Sequence, residues 1–138
     1  MTSAGYVKPP WAARVIGARM ARLFKPAVVS VLAVRGRTSG RWRTTPVAVL
    51  TYRGDDYLLS AYGHTDWSRN LRASGAGRLT RRRRTEDIEV EEVPADQVAP
   101  LMAEYLRQFG TLPNVAKTFA ALPEPSDHPT FRIIANTT

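Results

Sequence analysis

The chain has 138 residues, no cysteine, two histidines, and twenty Lys and Arg against twelve Asp and Glu, for a net charge of +8. A chain of this length suits one domain that buries roughly 70% of its unfolded surface. Lack of cysteine excludes disulfides, thiolate catalysis, iron–sulfur clusters and cysteine zinc sites, and two histidines are too few for a metal cluster. The basic excess favours an anionic partner: nucleic acid, anionic lipid, or a phosphorylated or polycarboxylate ligand. A codon bias toward arginine accounts for part of that excess. No run reaches the roughly 18 apolar residues of a membrane span, and arginines interrupt any secretory-type apolar stretch, so the expected location is cytoplasmic.

Residues 1–10, with Pro9-Pro10, read as a flexible lead-in, and 11–138 as one domain. Residues 11–25 have helical periodicity, with Ile16, Met20, Leu23 and Phe24 on one face and Arg14, Arg22 and Lys25 opposite. Pro26 ends that helix. The β-branched run 27–35 predicts a buried strand. A polar loop, Gly36 to Gly40, leads into a second strand over 43–53, where Pro46 signals an edge or a bulge. Gly54-Asp55 predicts a hairpin into a third strand, Asp56–Tyr62.

Thr65 or Asp66 can cap a short helix over Trp67–Ala73, which Gly75 and Gly77 stop. Residues 78–93 predict a two-stranded ribbon with one basic and one acidic strand and its turn at 83–86. A second helix spans 95–109 with Gly110 as its stop, a short helix covers Pro113–Ala120, and TFRIIA at 130–135 closes as a strand. Three strands in succession without crossover helices argue against a doubly wound sheet. The expected architecture is α+β: a mainly antiparallel barrel of about six strands with helices packed outside.

Two segments carry chemistry. In Arg35-Gly36-Arg37-Thr38-Ser39-Gly40-Arg41-Trp42-Arg43, four arginines and two hydroxyls surround two glycines. Such a bend presents backbone N–H groups, hydroxyl donors and bidentate guanidinium groups to phosphate or carboxylate. It has neither the Walker nor the dinucleotide spacing. As an alternative, it is a solvated hairpin tip. The second segment, Ser60 to Leu71, turns at Gly63 and enters a helix. There Trp67 can cover a flat ring, and Asn70 follows one turn later on the same face. His64 is either a loop acid–base or a surface residue. Arg81–Arg84 would suit nucleic acid, but the facing acidic strand neutralises it. The basic N-terminal helix either lies on an anionic membrane as a peripheral contact or packs on the barrel. With no nucleophile motif and no metal box, chemistry must come from a bound cofactor.

These residues resemble a known family. Gly36-Arg37-Thr38-Ser39-Gly40-Arg41-Trp42-Arg43-Thr44-Thr45-Pro46 is similar to the G-R-x-S-G-x-x-R-x-x-P signature of the deazaflavin-dependent nitroreductases, actinobacterial split β-barrel proteins that use coenzyme F-420. Trp67-Ser68-Arg69-Asn70-Leu71 is similar to their W-x-x-N-L segment. The resemblance implies an 8-hydroxy-5-deazaflavin with a phosphate and an oligoglutamate tail, FMN being the alternative. It further implies that Arg37, Ser39, Gly40 and Arg43 hold the tail, with Thr38 and Arg41 nearby. Thr45, Pro46 and Val47 would run along the ring, Ser60, Ala61 and Tyr62 would line it, and Trp67 and Asn70 would close the far side. The implied activity is hydride transfer to a small-molecule acceptor such as a quinone, enone or nitroaromatic, by a monomer or homodimer that needs no nucleic acid. A cofactor carrier without catalysis is the alternative. The segment before Trp67 departs from the family in lacking a glycine-rich, proline-containing stretch.

Overall fold

A computed structural model of the chain describes residues 29–112 and 114–137. The lead-in 1–10, the helix expected over 11–25 and its Pro26 stop lie outside the described residues.

Strand β1 (Val29–Arg35) alternates buried and open positions, with Leu32 and Val34 turned inward. The loop after it folds back on itself and delivers β2 (Trp42–Tyr52), antiparallel to β1, with Arg35 opposite Trp42 and Val29 opposite Ala48. Arg53 and Gly54, both at positive φ (52° and 87°), make the two-residue hairpin into β3 (Asp55–Leu59). That sign at both central positions is the twist a short hairpin requires. β3 stops three residues short of the sequence expectation. The Ser60 N–H instead donates to the Pro129 carbonyl (2.9 Å), and the chain turns away over 61–65.

Helix α1 (Asp66–Ser74) is capped by Thr65, whose hydroxyl accepts from the Ser68 N–H; Gly75, at φ 68°, ends it in the left-handed conformation. β4 (Ala76–Arg81) and β5 (Arg84–Glu92) form the ribbon. Its turn falls at Arg82-Arg83, earlier than expected, and both residues are held at positive φ without a glycine. Arg78 faces Asp87 in the register and bonds to it (3.2 Å), and Arg81 reaches Asp56 and Glu86. The basic strand is thus neutralised by its neighbours, as the pattern of the sequence implies.

The helix expected over 95–109 is divided. A 3-10 turn, Ala95–Gln97, precedes α2 (Ala99–Phe109), because Pro100 fits only the first turn of a helix. Gly110 follows α2 in the right-handed region, not as a left-handed cap. A short helix α3 (Val115–Ala121) and a 3-10 turn, Pro125–Asp127, lead to β6 (Thr130–Thr137), longer than expected by two residues.

Among the described residues the six strands close into one antiparallel barrel in the order β1-β2-β3-β6-β5-β4. Leu32, Val34, Leu58, Leu79, Ile88, Val90, Phe131 and Ile133 fill its interior, and Leu71 of α1 plugs it at 0% exposure. Burying a leucine of that kind is worth roughly 1.5–3 kcal/mol. A second apolar layer lies outside, where α2 and α3 bring Leu101, Tyr105, Phe109, Val115 and Phe119 onto Leu50 and Leu59. His128 pins this layer: fully buried, its Nδ1 meets the Ser60 carbonyl (2.9 Å) and its Nε2 the Leu122 carbonyl (2.6 Å), with the Phe119 ring against it.

Pro46 explains an opening in this wall. A closed barrel has no edge strand, yet β2 pairs with β3 only from Val49 onward, while Pro46 sits opposite Val31 in the stretch flanked by β1 alone. The missing N–H is tolerated because that flank of β2 has no ladder to feed. An edge is therefore present, but only over half the strand.

Candidate functional site

The loop between β1 and β2 is closed by two backbone bonds, Gly36 N–H to the Arg41 carbonyl (2.7 Å) and Gly40 N–H to the Gly36 carbonyl (2.9 Å). Gly40 sits at φ 72°, where a side chain would be strained. Gly36 is crowded instead: a Cβ there would lie 2.8 Å from Ser39 Oγ and 3.5 Å from Arg43 Nε. Ser39 Oγ accepts from the Arg41 N–H (3.2 Å).

The four arginines of the loop separate by face. Arg35 points outward, stacked on the Trp42 ring at 4.7 Å with Arg78 at 4.5 Å from the same ring, and donates to the Gly40 carbonyl. It holds the shape of the bend. Arg43 pairs with Val34 and so stands on the opposite face of the strand, over Gly36. Arg37 reaches across to α1. Its backbone N–H and its Nη1 both donate to Asn70 Oδ1, at 3.0 and 2.7 Å. Its Nη2 lies 3.6 Å from Asp66 Oδ1. Thr38 and Arg41 are exposed beside them.

Helix α1 joins this basic bend to an apolar cleft. Trp67, one turn before Asn70, lines the cleft together with Pro46, Val47, Ala48, Ala61 and Tyr62, and Tyr105, Leu112 and Val115 wall it on the outer side. The cleft is shallow and opens to solvent, with a cavity volume of about 70 Å³. It lies against the half of β2 that has no β3 partner. Trp67 is braced from below by Phe131, with ring centroids 6.3 Å apart. Burial, helped by the neighbouring Tyr62, pushes the Tyr105 phenol well above the usual tyrosine range.

Of the residues the sequence marks for the ring, Pro46, Val47, Ala61, Tyr62 and Trp67 share the cleft. Three stand elsewhere. Ser60 is fully buried, and its hydroxyl is used within the turn, on the Gly63 carbonyl (2.5 Å) and Thr65 Oγ1 (2.9 Å). Thr45 faces Leu32 and lies outside the cleft lining. Asn70 is 2% exposed and holds Arg37 rather than the cleft. His64 is tied by Nε2 to the Ser126 carbonyl (3.0 Å). Of the other cleft residues, Val29, Ala48 and Leu59 come from β1, β2 and β3, while Tyr105, Leu112 and Val115 carry no local signal because the packing of the helical layer brings them there. Asp66 did have one: it lies one helical turn before Asn70, although capping accounts for an acid at that position equally well.

Residues 9–115 match the F420H(2)-dependent quinone reductase family. The chain belongs to that family. It is an oxidoreductase domain, and the family's cofactor is coenzyme F-420, so FMN is not needed. No curated protein sequence matches the chain. Among solved structures, the F420-H2 dependent reductase FDR-A is similar at TM-score 0.56 and 16% identity, covering 78% of this chain and 94% of its own. HutZ, a heme storage protein from Vibrio cholerae, is similar at TM-score 0.58 and 15% identity, covering 87% of this chain and 89% of its own. A protein solved as a domain-swapped dimer gives TM-score 0.55 and 16% identity over 78% of this chain and 80% of its own. These likenesses establish the split-barrel fold expected from the sequence.

The site suits F-420 on its own chemistry. A phosphate with carboxylates needs the cationic groups of the bend, and a flat tricycle needs an apolar slot with an aromatic wall. The reductase family's two demands meet on either side of α1. Both histidines of the chain are engaged with backbone carbonyls.

Proposed function

We propose that this member of the F420H(2)-dependent quinone reductase family reduces an electron-poor small molecule, of the quinone, enone or nitroaromatic kind, in the cleft beside Trp67. In this reading Arg37, Ser39, Gly40 and Arg43 grip the phosphate–glutamate end, with Thr38 and Arg41 adding charge and donors at the rim. Pro46, Val47, Ala61, Tyr62 and Trp67 hold the ring. When bound, reduced F-420 supplies a hydride from its C5. The protein orients the acceptor in the apolar slot beside Trp67.

The observation that carries this reading is the junction at α1, where Asn70 grips Arg37 and Trp67 lines the cleft one turn away. Arg43 and Pro46 are three residues apart on β2, roughly 10 Å at about 3.3 Å per residue, a span suited to a ring joined to its anionic end by a short polyol.

The test is a titration of purified protein with F-420, FMN and NADPH, followed by fluorescence, and then oxidation of reduced F-420 by menadione. Micromolar binding of F-420 with turnover is expected. No binding at micromolar cofactor refutes the reading, and binding without turnover across a broad acceptor panel makes the domain a carrier.

A further inference from the structure

Arg37 is held by two residues of opposite character. Asn70 is neutral and 2% exposed, and its Oδ1 takes two hydrogen bonds from Arg37, one from the main chain and one from the guanidinium. Asp66 is charged, its side chain is 87% exposed, and it touches only the far nitrogen, at 3.6 Å. The two stand one turn apart on α1, and the Arg37 side chain keeps 37% of its surface open.

These differences have distinct consequences. An amide oxygen fixes a guanidinium in place without cancelling its charge. A carboxylate at the same spot would fix it more firmly and neutralise it. An exposed carboxylate on the outer edge of the guanidinium is a weak partner, worth at most about a fivefold factor, and is readily exchanged for a better anion. It occupies the side from which an incoming phosphate or carboxylate would approach.

From this geometry, and on the reading that Arg37 meets the cofactor's anionic end, we propose that α1 sets the affinity for that end in two opposing ways. Asn70 is a positioning residue that holds Arg37 in its binding posture with the charge intact. Asp66 is the site's internal counter-ion, displaced when the tail arrives. The ring should be indifferent to both, since neither lines the cleft.

The experiment compares wild type, Asn70→Asp and Asp66→Asn against two probes: F-420, and the tail-less ribityl 8-hydroxy-5-deazaflavin. Binding is read by fluorescence at low and at 0.5 M salt, and folding by thermal melts. Asn70→Asp should bind F-420 about tenfold or more weakly while the tail-less probe changes less than about twofold. Asp66→Asn should bind F-420 about two- to fivefold more tightly, and that gain should vanish at high salt. Equal losses for both probes in Asn70→Asp would make Asn70 merely structural. An unchanged or weakened F-420 affinity in Asp66→Asn would overturn the counter-ion role, and this exposed substitution carries the test even where Asn70→Asp fails to fold. If wild type binds both probes alike, the tail site itself is misplaced. If wild type prefers F-420 and neither variant shifts that preference, only the present inference falls.

Discussion

Removing Arg37 and Arg43 together tests whether the bend grips an anion. Arg37 reaches α1 and Arg43 stands over Gly36 of the bend, whereas Arg82 sits at the exposed tip of the β4–β5 turn. A charge-assisted hydrogen bond to an anion is worth about 1.5–3 kcal/mol. Arg37→Ala with Arg43→Ala should therefore weaken binding by about 3–6 kcal/mol, or roughly a hundredfold to ten-thousandfold in Kd for F-420. Arg82→Ala removes the same kind of charge at a distance from the bend, and should change Kd by about twofold or less at 0.15 M salt. A stability cost comes with the double variant. It removes one of the two hydrogen bonds to Asn70 Oδ1, buried at 2% exposure, while the residue-37 N–H still donates there, at a cost of about 0.5–1.5 kcal/mol. Melting curves must therefore show the variant folded at the titration temperature. Comparable effects of Arg82→Ala and the double variant would mean that affinity follows net charge and that the bend is not the tail site.

Three further outcomes concern the fold. At Gly77 a Cβ would stand 2.9 Å from the Ala33 carbonyl, so Gly77→Ala should push β4 off β1 and destabilise by about 1–3 kcal/mol, read by denaturant unfolding. Arg83 is held at φ 69°, a conformation costing a non-glycine residue about 1–2 kcal/mol; Arg83→Gly should raise Tm by roughly 3–5 °C, and a fall would refute the strain. Arg107 and Gln108 hold the Glu104 carboxyl down at about 2, from an ordinary 4.5. A depressed folded value stabilises above the unfolded one and is lost as pH falls through the folded one. Glu104→Gln should thus lower Tm at pH 7, with the difference from wild type closing between about pH 4.5 and pH 2.

Much of the barrel was legible because its signals are local. A β-branched apolar run marked β1, the Gly54 hairpin marked β3, and Thr65 with Gly75 bracketed α1. Boundaries failed where a distant partner decides them. β3 stops at Leu59 because the next residue across the ladder is Pro129, which has no N–H to return, and the Ser60 carbonyl meets His128 instead; no residue near Ser60 announces that. The ribbon turns at Arg82-Arg83 because the register of Arg78 with Asp87 sets it, against the backbone preference of both turn residues. Of the site, the basic bend and Trp67 were visible as chemistry. The outer wall of the cleft was not: Tyr105 reads in sequence as one more apolar position of a helix, and only the packing of α2 on β2 turns it toward the cleft.

The roles of Asn70 and Pro46 show why motif and structure assign work differently. A motif marks a residue without saying whether it touches the ligand or something that does. Asn70 is placed by its motif beside the ring, yet its oxygen is consumed by Arg37, so its effect on a cofactor travels through a neighbour's posture. Pro46 reads as a strand defect, yet its missing donor coincides with the length of β2 that lacks a second partner, where the cleft forms. A barrel that paired β2 along its full length would satisfy more backbone and would have no slot beside it. The unpaired flank is a local loss of sheet that the second apolar layer on Leu50 and Leu59 offsets. The residues that offset the opening also line it, since Leu59, Ala61, Tyr105 and Val115 belong both to that layer and to the cleft.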